Sequence, residues 1–230
     1  FAKAQAPHQN QFYALSLFSG AGGLEVANSR VCTSDNSHFK TIACVEIEKD
    51  RCDTLREYFG DAFSIIQADI RAVSAQTIFK DSLIAIRDVW LVYGGPPCQS
   101  FSQAGKQKGK HDPRGELIFE FLRVVDEISP PLFMMENVAN LKAIDKGRLL
   151  QSILDEMDNM GYDVTYGVLN SAHYGNAQKR QRLIFFGVKK IYHQKINLPE
   201  PTHGEHLDLF GKPIFKTVAQ AFHGLPEETD

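Results

Sequence analysis

Short apolar runs recur along the chain at residues 13–18, 41–45, 63–66, 89–93 and 132–135. Each is too short for a helix and stops at a polar or glycine-containing turn, which predicts buried strands. Between them lie helical patterns that start at Leu24 and at residues 50–59, 116–128 and 148–160. Strand and helix in alternation predict an α/β fold with a doubly wound, Rossmann-like parallel sheet and right-handed crossovers. Two later runs, 164–169 and 183–188, are separated by a polar stretch without a helical pattern, which predicts an antiparallel hairpin at one edge. The periodicity fades after Lys190 into sequence containing Pro, His and Gly. The expected organisation is an N-terminal extension over 1–12, one domain over 13–190, and an extension over 191–230 in place of a second domain.

The strand ends carry the chemistry. The run at 89–93 leads through Gly94-Gly95 into Pro96-Pro97-Cys98-Gln99. Each proline fixes its own φ and keeps the preceding residue out of the helical region, so the backbone entering Cys98 is stiff. A thiol mounted there sits at the carboxyl edge of the sheet, where open α/β folds bind ligands. The first strand is followed by Ser19-Gly20-Ala21-Gly22-Gly23, where missing side chains allow a ligand close to the backbone. Glu46 ends the second strand, where an acidic side chain can accept from a ribose diol, and Asp69 follows the third, where it can accept from the amine of adenine. The alternatives are a solvated charge for Glu46 and a helix cap for Asp69. All three strand ends in order suggest a nucleoside-containing cofactor. The glycine turn lacks the Gly-x-Gly-x-x-Gly spacing, which counts against a nicotinamide enzyme.

Composition narrows the classes. No apolar run is long enough to span a bilayer, and the polar opening stretch lacks a signal-peptide core. A net charge of −3 excludes binding nucleic acid by bulk positive charge. The 4 cysteines show no paired metal spacing, no metal site is expected, and Cys32, Cys44 and Cys52 read as small buried hydrophobes. An intracellular setting is expected: the cytoplasm at a bacterial nucleoid, or the nucleus of a eukaryote.

Four blocks in order resemble the cytosine-C5 DNA methyltransferase family: Phe18-Ser19-Gly20-Ala21-Gly22-Gly23; Gly94-Gly95-Pro96-Pro97-Cys98-Gln99-Ser100-Phe101-Ser102; Glu136-Asn137-Val138; and Gln178-Lys179-Arg180-Gln181-Arg182. The similarity runs from about Tyr13 to Gly187 and weakens through Leu198-Pro199-Glu200-Pro201-Thr202-His203 and Thr217-Val218 to Leu225-Pro226. The resemblance implies an S-adenosylmethionine-dependent methyltransferase sheet. Cofactor contacts are implied for Phe18, Ser19, Gly20, Gly22, Gly23, Glu46, Ile47, Asp69, Ile70 and Pro96.

It also implies the chemistry. Cytosine C5 is a poor nucleophile until a thiolate adds at C6, and Cys98 is the candidate. Glu136 is expected to engage N3 and the exocyclic amine of the base, at least partly protonated, which burial would favour. Arg182 is expected at the cytosine O2, and Arg180 at a phosphate or bracing the pocket. Double-stranded DNA is the implied partner, with the target base flipped from the stack. Residues 100–114 are expected to close over DNA, with Lys106, Lys108, Lys110 and Arg114 on phosphates and Gln103 helping to fill the vacated stack.

Two other readings remain open: the RNA-directed branch of the family, which methylates transfer RNA, and a non-catalytic regulatory homologue. The sequence after Cys98-Gln99 looks like the DNA enzymes, and a regulatory homologue would be expected to lose Cys98, Glu136 or Arg182. The chain stops soon after the Leu-Pro pair, so a target-recognition region is expected from a further segment or a complementary polypeptide.

Overall fold

The computed structural model describes residues 10–33, 36–98, 116–206 and 211–224. Seven strands form one sheet: β1 (Gln11–Leu17), β2 (His38–Glu46), β3 (Ser64–Gln67), β4 (Val89–Gly94), β5 (Leu132–Val138), β6 (Tyr162–Asn170) and β7 (Gln181–Lys189). The described α-helices are α1 (Gly23–Ser29), α2 (Lys49–Phe59), α3 (Ala75–Ile78), α4 (Glu116–Ile128), α5 (Arg148–Asn159) and α6 (Val218–Phe222). None is long and apolar enough to cross a membrane.

The strand order is β3-β2-β1-β4-β5-β7-β6. The first five strands are parallel, and β7 runs antiparallel to both β5 and β6. The expected edge hairpin is present, but its second strand, not its first, lies against β5. The burial patterns explain the choice. Alternate residues of β7 are buried, including Leu183 and Phe185, whereas β6 is mostly half-buried and suits an edge. The reversal brings the amino end of β7 to the edge where β4 and β5 end, pairing Arg182 with Val138.

One face of the sheet holds the main core. Leu15, Leu17, Val92, Phe133, Met135, Leu183 and Phe185 pack there with Ile118, Phe121, Leu122 and Val125 of α4 and Ile153 and Met157 of α5. Spacings of three and four residues place those helix positions on one stripe. Phe133 meets Tyr162 edge-on at 4.9 Å, and the Tyr162 hydroxyl donates to the Pro130 carbonyl at 2.7 Å. The opposite face carries the α1 and α2 side, where Ser16, Cys44, Cys52 and Leu55 are fully buried. Cys32, expected inside, lies exposed in the turn beyond α1, because that short helix ends at Ser29.

Cross-strand pairing places Leu91, Leu132, Met134, Phe186 and Ile184 on the same face as Glu136. These residues are half-buried and lie outside the main core. Leu198 covers part of this surface, packing where Gly167 leaves room.

Candidate active site

Beyond β4 the backbone turns through Gly95, Pro96 and Pro97 to Cys98. Gly94 must be glycine, since a Cβ there would lie 2.1 Å from the Leu17 carbonyl oxygen of β1. Pro96 is buried, Pro97 is exposed, and Cys98 is half-buried against the edge of the core. Asn137, 2% exposed, donates from Nδ2 to the Pro96 carbonyl at 2.9 Å while its Oδ1 accepts from the Val138 amide at 2.8 Å. This bond ties the turn that carries the thiol to the strand that carries Glu136.

The Glu136 Oε2 lies beside Gly95, where an added Cβ would come within 3.3 Å. Its Oε1 is 2.6 Å from Arg182 Nε and 3.8 Å from an Arg180 terminal nitrogen. Glu136 is half-buried. Its side chain is 25% exposed and is held by cations, because the reversed β7 delivers both arginines to this edge. Ser171 closes the preceding loop: its amide donates to the Arg180 carbonyl at 3.0 Å, and its hydroxyl to the Gln178 carbonyl at 2.5 Å.

A cleft of about 410 Å³ lies along the same edge, lined in part by Phe18, Glu46, Ile47, Asp69, Ile70, Gly95 and Pro97. Phe18 has a left-handed backbone, φ 56°. Glu46 is 4% exposed, and its carboxylate accepts from the Gly20 amide at 2.7 Å, the Ile47 amide at 3.0 Å and the Glu48 amide at 2.9 Å. Arg51 adds a cation at 3.7 Å. Asp69 accepts from the Arg71 amide at 3.0 Å and from the Arg71 guanidinium at 2.7 Å, hydrogen bonds that hold its carboxyl below the usual range. It also caps the following 3-10 turn, so the capping alternative describes a real part of its role.

Ser19, Gly20, Gly22, Gly23 and Pro96 are not among the cleft-lining residues. The Ser19 hydroxyl turns inward to Ser16 at 2.9 Å. Gly22, at φ 92°, admits Leu55 and Phe59 of α2, each 3.0 Å from where its Cβ would be. Beneath the turn, Ser16 donates to Glu25, a carboxyl 1% exposed whose Oε2 has no partner among the described groups. Burial raises its pKa above the ordinary 4.5. Gln99, Ser100, Phe101, Ser102, Gln103, Lys106, Lys108, Lys110, Arg114, Leu225 and Pro226 lie outside the described residues.

Sequence reasoning missed Pro97, Arg51, Arg71 and Leu117 as cleft residues and the Asn137 tether. The double proline pointed to Pro97. The Glu136-Asn137-Val138 block pointed to Asn137, whereas no local signal pointed to Arg51, Arg71 or Leu117, which reach the cleft from separate elements.

The family model for C-5 cytosine-specific DNA methylase matches residues 12–227. The Type II methyltransferase M.AquIA of Picosynechococcus is 39% identical over 230 residues, covering 94% of this chain and 89% of the relative. The Type II methyltransferase M1.HphI of Haemophilus parahaemolyticus is 39% identical over 194 residues, and there the chain spans only 49% of the relative's length. A crystal structure described as a DNA modification methyltransferase encoded within an E. coli prophage superposes with a TM-score of 0.72 at 26% identity, covering 95% of this chain and 56% of that one.

Proposed function

Because the chain belongs to the C-5 cytosine-specific DNA methylase family, we propose that it forms the catalytic part of an enzyme that methylates C5 of a flipped-out cytosine in duplex DNA, within a Type II restriction-modification system. The observation that carries this reading is the Arg182–Glu136 pair at 2.6 Å beside the Cys98 turn that Asn137 ties to the same strand. A nucleophile, a carboxylate and a guanidinium converge at one sheet edge, next to a cleft that suits a nucleoside.

The cleft fits S-adenosylmethionine. Phe18 offers an aromatic wall for the base, Glu46 a buried carboxylate for a diol, and Asp69 an acceptor for the adenine amine. Ile47, Ile70 and Pro97 complete the walls, and the Gly20 amide joins Glu46 to the first turn. When bound, the cofactor supplies a sulfonium-activated methyl group.

Cys98 acts as thiolate and forms a bond to C6 of the base, which makes C5 electron-rich. Glu136 holds N3 and the exocyclic amine as charge moves onto the ring, and Arg182 holds O2. Both then occupy adjacent polar positions on the base, as their contact in this structure supports. Arg180 braces Glu136 or takes a phosphate. After methyl transfer, water removes the C5 proton, the carbon–sulfur bond breaks and its electrons return to Cys98.

We further propose that target recognition comes from an additional segment, in the same polypeptide or a complementary one, toward which residues 191–230 lead. The half-buried surface of Leu91, Leu132, Met134, Ile184 and Phe186 supports this, since packed apolar faces are ordinarily covered. Reconstitution tests both statements. Methyl incorporation into duplex DNA, but not RNA, is expected to be low with this chain alone and restored by the complementary polypeptide. Incorporation into RNA alone would overturn the substrate, and robust site-specific methylation by this chain alone would overturn the partner.

A further inference from the structure

Parts of the nucleoside cleft come from elements far apart in the chain. Asp69 and Ile70 belong to the turn after β3, and Leu117 belongs to α4. Nothing in the local sequence joins them, yet both must keep their places for the cleft to hold its shape.

Arg123 of α4 spans the junction. One terminal nitrogen donates to the Ile70 carbonyl at 2.9 Å and to the Val73 carbonyl at 2.8 Å. Nε donates to Glu120 at 2.8 Å, and the other terminal nitrogen to Glu127 at 2.5 Å. The second oxygen of Glu127 accepts from the Ala75 amide at 2.7 Å, so the network also holds the start of α3. The Arg123 side chain is 33% exposed and its partners 24% and 27%, so it is more shielded than a surface ion pair. A guanidinium suits this place because its rigid fork serves two carbonyls and two carboxylates at once, which a lysine cannot do. A second link runs from Arg71, in the same turn, to Glu116 of α4 at 3.6 Å.

Resting on the cofactor reading above, we propose that Arg123 is a positioning residue for adenine recognition: by fastening the 70–73 turn to α4 it sets where Asp69 meets the exocyclic amine. It is not among the cleft-lining residues and acts through the turn. The consequence is selective. Loosening the turn should erode the preference for a base with an amine at that position over one with a carbonyl, beyond any effect on folding.

The test compares S-adenosylhomocysteine with S-inosylhomocysteine by calorimetry, on the chain as purified with any polypeptide that accompanies it. The unsubstituted protein should prefer adenine, and Arg123→Ala should lose about tenfold of that preference. Arg123→Lys keeps the charge without the fork and should lose most of it too, which decides the matter if the alanine variant does not fold. Arg148→Ala, an α5 arginine paired with Asp145, should leave the ratio unchanged. An unchanged ratio in folded Arg123 variants, or an equal loss in Arg148→Ala, overturns the inference. Failure of the unsubstituted protein to bind S-adenosylhomocysteine overturns the cofactor reading itself.

Discussion

The side-chain amide of Asn137 donates to the carbonyl of Pro96 at 2.9 Å, across 41 residues of sequence. Two prolines stiffen the approach to Cys98, but stiffness alone does not aim it. The bond to Asn137 sets the turn against β5, and Glu136 is the neighbouring residue on that strand. Cys98 and Glu136 are thus registered to each other by one buried hydrogen bond.

Asn137→Ala leaves the Pro96 carbonyl unpaired in a buried setting, a loss of roughly 1–3 kcal/mol. The expected outcome is a fall of about tenfold to a hundredfold in the single-turnover methylation rate. S-adenosylhomocysteine affinity should change little. An unchanged rate would remove the tether from the mechanism.

Cys98→Ser should abolish turnover while S-adenosylhomocysteine binding survives. With DNA containing 5-fluorocytosine, the parent protein should form an adduct stable to denaturing electrophoresis, because fluorine at C5 blocks the final elimination. Full activity in the serine variant would sink covalent catalysis.

Glu46→Ala should weaken cofactor binding more than it slows the chemical step at saturating cofactor. The carboxylate is nearly fully buried and accepts three backbone amides, so its removal also orphans donors of the turn. The expected loss is about 1–3 kcal/mol of binding. Asp69→Ala should act in the same direction and more weakly, being more exposed. Equal affinity in both variants, read by calorimetry, would reject the pocket assignment.

Glu25 provides a pH test. Burial raises its folded pKa above 4.5, so the folded chain holds a proton that the unfolded chain releases. That contribution to stability is complete below the unfolded pKa and is lost as pH rises through the folded value. Glu25→Gln lacks it, so its melting temperature relative to the parent should climb as the pH rises above the ordinary carboxyl value of 4.5. A difference independent of pH would show that Glu25 does not titrate in the fold.

The chain's own pattern carried the alternation of strands and helices, the edge hairpin and the strand ends at Cys98, Glu46, Asp69 and Glu136. Those features depend on residues close in sequence: apolar runs bounded by turns, a double proline, glycines after a strand. The ordered blocks from Phe18 to Arg182 also pointed to the family. Tertiary structure decided what depends on partners far along the chain. The insertion of β7 between β5 and β6 follows from which strand better fills the core beneath α4 and α5, and it brings Arg182 onto Glu136. The same insertion leaves Glu136 half-buried and ion-paired. Cys32 and Cys44 are both cysteines near strand β2, yet one is exposed and the other fully buried, because only packing determines where α1 stops and what lies above the sheet. Arg123 reads locally as one more charge on an amphipathic helix. Only folding places it over the carbonyls of residues 70 and 73, since a hydrogen bond across fifty residues has no local periodicity to announce it.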